Sequence, residues 1–263
     1  PNRGVGAYDT WKIANEQELE QFFRNLPSIP YIMEEFVPGE ICSYDAIVNS
    51  KGTVLFETGN VTPISIMDSV NNHGSIRFYI VDHVAEDLKA AGRACLKAFR
   101  VRSRFVHLEF FRLTEDHPYL GPKGQVVGLE VNMRPSGGPT PDMVNFAYST
   151  DCYQHYADMM VYDKLRHQTK SNHCFCAYVG RWKELPYLHS HEEILTEFSD
   201  SLKLAQELPE VLAHGMGNYM YLARLETKEK MEEFFHYTLD LKPAEPEKKP
   251  VRKTARRKTQ RKS

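Results

Sequence analysis

Glu109, Glu130, Asn132 and Arg134 are the residues of this chain whose types and spacing suit chemistry. Glu109 sits inside Phe105-Val106-His107-Leu108-Glu109-Phe110-Phe111, an apolar run that reads as a buried strand. Glu130, Asn132 and Arg134 alternate along Gly128-Leu129-Glu130-Val131-Asn132-Met133-Arg134-Pro135-Ser136-Gly137-Gly138, so period-two geometry points all three to one face. Burying such groups is costly unless a metal or an anionic ligand satisfies them, and hard oxygen donors suit Mg²⁺ carrying a nucleotide's phosphates. The competing reading of Glu130, Asn132 and Arg134 is a half-exposed hairpin with a polar outer face. Glu109 favours the site, because it lies in a segment apolar on both faces.

The elements that must position these residues follow from pattern. Residues 1–10 form a Gly-containing loop and residues 11–13 a short strand. Residues 15–25 form a helix, with Asn15 as its cap and Glu16 and Glu18 in the first turn. Residues 31–36 read as a strand running into the turn at 37–39, and 41–49 and 53–58 as antiparallel strands joined at 50–52. Residues 85–99 have a helical apolar side of Leu88, Ala91, Cys95, Leu96 and Phe99. After the two site-bearing strands and a loop over 135–141, one helix is expected from 141 or 142 towards 162, with Met143, Phe146 and Ala147 on its apolar face. A shift in composition at 166–172 marks a boundary. Beyond it come a strand, a helix near 191–198, short strands and a final helix over 227–239. The expected organisation is a domain over 1–165, a small α+β domain over 172–241 and a tail over 242–263.

Composition narrows the class. The 263 residues are 41% hydrophobic and 11% aromatic, ordinary for a folded soluble protein. No apolar run approaches a membrane span and no secretory signal opens the chain, so a cytoplasmic protein without membrane contact is expected. Five cysteines do not make a disulfide framework. His173, Cys174 and Cys176 invite a metal reading, but two thiols two residues apart on a strand point into a core, and zinc needs ligands the local sequence lacks. The formal charge of −2 hides an asymmetry: nine of the 33 basic residues fall in 248–263, leaving 24 against 35 acids, a net of −11, in the body. The tail has too little apolar surface to fold alone. The chain opens at Pro1, inside a loop motif and without Met, so a truncated amino end is expected.

Taken together, these motifs resemble the carboxyl-terminal portion of the ATP-grasp superfamily, over about residues 1–165. The resemblance implies an α+β fold of antiparallel sheets with flanking helices. Pro1-Asn2-Arg3-Gly4-Val5-Gly6-Ala7 resembles the loop that closes over the triphosphate, where Gly4, Gly6 and Ala7 would offer backbone N–H groups to phosphate. Tyr31-Ile32-Met33-Glu34-Glu35-Phe36-Val37-Pro38-Gly39-Glu40 resembles the hinge strand that holds adenine. There Glu34 matches the residue reaching the adenine amino group, Glu35, Phe36 and Val37 the segment whose backbone pairs with the ring, and Glu40 the acid on the ribose. Glu109, Glu130 and Asn132 match the ligands of Mg²⁺ (or Mn²⁺), and Arg134 the arginine that steadies the transferred phosphoryl group. The departure is at the amino end, where the family's two nucleotide-binding lysines and preceding α/β domain have no counterpart.

The resemblance implies a ligase of the carbamoyl-phosphate-synthetase-like kind. ATP activates a small-molecule carboxylate as an acyl phosphate, which an amine or similar nucleophile captures. A homodimer is compatible with this reading. Two alternatives belong to other classes: a nucleotide-binding module without turnover, and a nucleic-acid-associated protein. In the latter, residues 248–263 would neutralise phosphates without reading bases, since the tail has no aromatic residue for stacking. A solvated tail that meets RNA or acidic surfaces non-specifically is the blander form of the same contact. His73 and His107 could assist proton transfer, although a lone histidine is more often structural.

Overall fold

A computed structural model describes residues 1–2, 9–63, 76–167 and 173–243. The first element, α1 (Glu16–Arg24), starts where the sequence places it. Asn15 accepts from the Glu18 amide at 2.9 Å, while the Glu18 carboxylate accepts from the Ala14 amide at 2.8 Å. The short strands expected at 11–13 and 31–36 are absent. Neither run finds a ladder partner among the described residues; instead Trp11 and Tyr31 pack edge-on against Phe22, with ring centroids 5.6 and 5.3 Å away. An apolar run becomes a strand only beside a neighbouring strand, and these two satisfy their rings locally.

Eight strands make one wholly antiparallel sheet: β1 (Gly39–Val48), β2 (Val54–Thr62), β3 (Ile76–Ile80), β4 (Arg104–Leu113), β5 (Val126–Asn132), β6 (Phe175–Arg181), β7 (Leu202–Glu207) and β8 (Tyr219–Leu225). Their order across the sheet is β5-β4-β1-β2-β3-β6-β8-β7. The β1–β2 hairpin turns as expected, its loop tied by Asn49 Oδ1, which accepts from the Lys51 and Thr53 amides at 3.0 and 2.9 Å. Sequence reading missed the five-residue β3, yet it joins the two halves: Ile80 pairs with Asn60 on one side and Cys176 on the other. The sheet therefore runs unbroken past residues 166–172.

Both faces carry helices over part of the sheet. On the first, Ile47, Phe56 and Phe105 meet Met143, Ala147, Tyr148 and Met159 from α3 (Thr140–Tyr148) and α4 (Cys152–Tyr162). On the second, Tyr44, Val106, Leu108 and Phe110 meet Leu88 and Leu96 of α2 (Glu86–Ala98). Farther along that face, Val179, Tyr221 and Ala223 pack with α5 (His191–Glu197) and α7 (Lys228–Leu239). A short α6 (Glu210–Met216), unforeseen from sequence, precedes β8.

Two expectations about helices need correction. The single helix foreseen towards residue 162 is two, because Ser149 takes a left-handed conformation (φ 50°) and Asp151 starts a new helix by accepting from the Gln154 amide at 3.0 Å. Phe99 is 57% exposed rather than on the apolar side of α2, since it already lies at the helix's end. Cys174 and Cys176 are both buried in the core, as their spacing implied. Among the described residues no helix is long and apolar enough to cross a membrane.

Candidate functional site

The central strands bring polar residues together in rows perpendicular to the chain. On β4, Glu109 stands opposite Glu130 of β5 and His107 opposite Asn132. On its other side Glu109 faces Ser43 of β1 and His107 faces Asp45. Ser43 and Asp45 in turn face Asn60 and Thr58 of β2. Residues opposite one another in a ladder share a face. The result is two polar rows across four strands: Thr58–Asp45–His107–Asn132 and Asn60–Ser43–Glu109–Glu130.

A bulge makes this alignment possible. Glu109 pairs with Glu130 but Phe110 pairs with Gly128, so Leu129 is an extra residue in β5. Before it, Val126 packs with the core on the α2 side. After it, Glu130 and Asn132 turn to the opposite face, beside Glu109. The row below the polar pair, Phe56–Ile47–Phe105, belongs to the core, and the row above carries Ile41 and Phe111, both half-buried. Gly39 makes room for Phe111, whose Cβ would lie 2.8 Å from any Cβ added there.

Burial falls from one end of the polar rows to the other. Asp45 and Ser43 are each 3% exposed and His107 8%, whereas Glu130 is open to solvent. His107 Nδ1 lies 2.8 Å from Asp45 Oδ1, and Nε2 lies 2.8 Å from Glu109 Oε1. The Ser43 hydroxyl donates to the other Asp45 oxygen. Burial by itself would push the His107 imidazole down, but Asp45 and Glu109 outweigh it and carry the pKa up to about 10.

This donor set fits a hard cation. Glu109 and Glu130 supply carboxylates from adjacent strands. Asn132 has a buried amide nitrogen without a hydrogen-bond partner. Turned over about its Cβ–Cγ bond, the amide places its oxygen at the same position, as a donor to a cation. Among the described residues no three His, Cys, Asp or Glu side chains form a metal cluster. A cation here would therefore rest on two carboxylates, one amide and the oxygens of a bound phosphate, a coordination typical of Mg²⁺ with nucleotides.

The other candidates lie apart. Arg134 falls beyond the end of β5, so it does not continue the alternation of Glu130 and Asn132; its exposed guanidinium donates to the Pro135 carbonyl at 2.9 Å. Glu34, Glu35 and Phe36 are exposed on an irregular segment, with Val37 half-buried, where a hinge strand was expected. Glu35 lies 3.3 Å from His117 Nε2, and the Lys12 ammonium sits 3.9 Å above the Phe36 ring. Glu40, the second residue of β1, stands opposite Arg112, on the face of Cys42 rather than that of Glu109. Gly4, Gly6, Ala7, His73 and the tail over 248–263 lie outside the described residues. Sequence reading left Ser43 and Asp45 out of the site altogether. Only the polar alternation in Cys42-Ser43-Tyr44-Asp45 hinted at them.

No protein family's sequence profile matches the chain, and no curated protein matches it. Solved structures do. Phosphoribosylglycinamide synthetase from Anaerococcus prevotii is 18% identical, with a TM-score of 0.51 over 83% of this chain and 57% of its own. L-amino acid ligase from Bacillus licheniformis is 13% identical, with a TM-score of 0.59 over 85% and 58%. N5-carboxyaminoimidazole synthetase from Staphylococcus aureus, solved with ADP, is 10% identical, with a TM-score of 0.59 over 86% and 56%. The chain thus spans a little over half the length of each of these structures. At such identities the likeness is one of fold, and the fold is the α+β ATP-grasp architecture.

Proposed function

We propose that this chain, built on the ATP-grasp fold, belongs to an ATP-dependent ligase that activates a carboxylate as an acyl phosphate for capture by an amine or similar nucleophile. The observation that carries the proposal is the cross-strand meeting of Glu109 with Glu130, beside Asn132, on one open face of the sheet. Three oxygen-bearing side chains from two strands share that face, and the neighbouring row offers the half-buried Ile41 and Phe111 as a surface for a flat base. Two residues of strand separate the two features, about 7 Å, comparable with the span between a nucleoside and its outer phosphates.

In this reading Glu109, Glu130 and Asn132 hold Mg²⁺ (or Mn²⁺), which when bound neutralises phosphate charge and orients the γ-phosphoryl group. The substrate carboxylate attacks the γ-phosphorus, the bond to the β-bridging oxygen breaks, and ADP departs. The nucleophile then attacks the acyl carbon and expels phosphate. Arg134 adds positive charge to the phosphoryl group in flight by swinging from the Pro135 carbonyl, a move open to an exposed side chain. Glu34, Glu35, Phe36 and Val37 would frame the base, and Gly4, Gly6 and Ala7 the triphosphate; Glu40, on the opposite face of β1, lies away from this surface and is left out of the ribose contact. No protein nucleophile is required, because phosphoryl transfer depends on positioning and charge.

The test is isothermal titration of ATP with and without Mg²⁺, followed by a screen of carboxylate and amine pairs for ADP release. Metal-dependent binding, and ADP release only when both partners are present, is the expected result. ATP binding indifferent to the metal would refute the site assignment.

A further inference from the structure

We propose that Asp45 and His107 are positioning residues that hold the Glu109 carboxylate in place, turning one of its oxygens inward and leaving the other for the ligand. The inference rests on the reading of Glu109 as a cation ligand. Its basis is a chain of contacts running from a sealed interior to an open surface: Ser43 to Asp45, Asp45 to His107 Nδ1 at 2.8 Å, and His107 Nε2 to Glu109 Oε1 at 2.8 Å. Each ring nitrogen thus stands against a carboxylate oxygen, so the imidazole ring bridges Asp45 and Glu109.

Packing alone does not account for this chain. One row below, the same strands fill the same face with Phe56, Ile47 and Phe105. Apolar side chains of that kind would cost less there than a buried ion pair. The pair does something they would not. Glu109 and Glu130 are like charges directly opposite one another, a pairing that is destabilising and drives the two side chains apart. The His107 ring, 2.8 Å from Glu109 Oε1, anchors one of them from behind.

The experiment compares Mg-ATP with metal-free ATP by isothermal titration on the full chain, in the wild type and in His107→Asn, His107→Gln, Asp45→Asn and Glu109→Gln. Asparagine reproduces the donor towards Asp45 but cannot reach Glu109, whereas glutamine places its amide near the original Nε2. His107→Asn should weaken Mg-ATP binding roughly 10- to 100-fold, the usual cost of losing a residue that supports a metal ligand. His107→Gln should lose less, and metal-free ATP should bind all of them alike. A His107→Asn protein that binds Mg-ATP as tightly as the wild type while Glu109→Gln does not would overturn the positioning role and leave the site standing. A wild type without a metal-dependent step would remove both. Should His107→Asn fail to fold, the isosteric Asp45→Asn carries the test: weaker Mg-ATP binding supports the relay, and unchanged binding overturns it.

Discussion

Gly92 lies on the buried side of α2, where a Cβ would come within 2.3 Å of both Cγ and Cδ1 of Tyr44. That ring has no room to yield. It is fully buried in β1, and its hydroxyl donates to Glu57 at 2.7 Å, a carboxylate held in turn by Arg93 at 2.8 and 3.1 Å. Replacement by alanine therefore forces the helix away from the sheet by about 1 Å, since ordinary contacts of this kind begin near 3.4 Å. Overpacking of this sort costs about 1–3 kcal/mol, against a gain of about 0.8–1 kcal/mol from replacing glycine inside a helix. Partial loss of the Tyr44–Glu57 hydrogen bond adds about 1 kcal/mol. The net expectation is a loss of about 1–3 kcal/mol, read by urea unfolding. In a Tyr44→Leu background the obstructing ring is gone, and the same Gly92→Ala change should be neutral or stabilising. Equal effects in the two backgrounds would refute the reasoning, because the cycle isolates the contact between these two residues.

Glu130→Gln should lower Mg²⁺-dependent ATP affinity by at least about tenfold with little change in thermal stability, because the side chain is exposed; an unaltered metal dependence in titration would remove Glu130 from the site. Arg134→Ala should slow carboxylate-dependent ADP release by about 10²-fold or more while leaving Mg-ATP affinity within a few-fold, and equal turnover would show that its place at the Pro135 carbonyl is its only one. Burial pushes the Glu57 carboxyl up, but hydrogen bonds from Tyr44 and Arg93 and the charges of Arg93 and Lys89 hold it below its ordinary value of 4.5. Its stabilising contribution is then complete above that value and fades as pH falls through the lower folded one. Glu57→Gln should accordingly separate from the wild type near neutral pH and converge with it in acid; parallel unfolding curves down to the acid limit would contradict that.

Local pattern carried much of this fold. The α1 cap at Asn15, the β1–β2 hairpin, the period of α2 and the run of α7 all arise from residues within a turn or two of one another. What pattern missed depended on distant partners. β3 is five residues long and is a strand because β2 and β6 lie on either side of it, while residues 31–36, with four apolar residues of six, have no such neighbours among the described residues. The break between α3 and α4 was more accessible, since Ser149-Thr150-Asp151 is a run of capping residues and Asn145 Oδ1 accepts from the Cys152 amide at 2.7 Å. Glu109, Glu130 and Asn132 were legible as an alternating polar set in apolar strands. The link from Glu109 through His107 to Asp45, 62 positions from that histidine, was not, and neither was the end of β5 at Asn132 that leaves Arg134 outside the strand.

The extra residue in β5 has a consequence for how such a sequence can change over time. Leu129 belongs to neither pairing register: Gly128 is matched to Phe110 and Glu130 to Glu109 whether or not a residue lies between them. An ancestral gain or loss of one codon at this point leaves both halves of the strand aligned with β4. The same event two residues later, at Val131 between Glu130 and Asn132, would swap the amide for its apolar neighbour and erase the site in a single step. Length variation among descendants should therefore collect on the Val126 side of Glu130, and the spacing from Glu130 to Asn132 should stay constant.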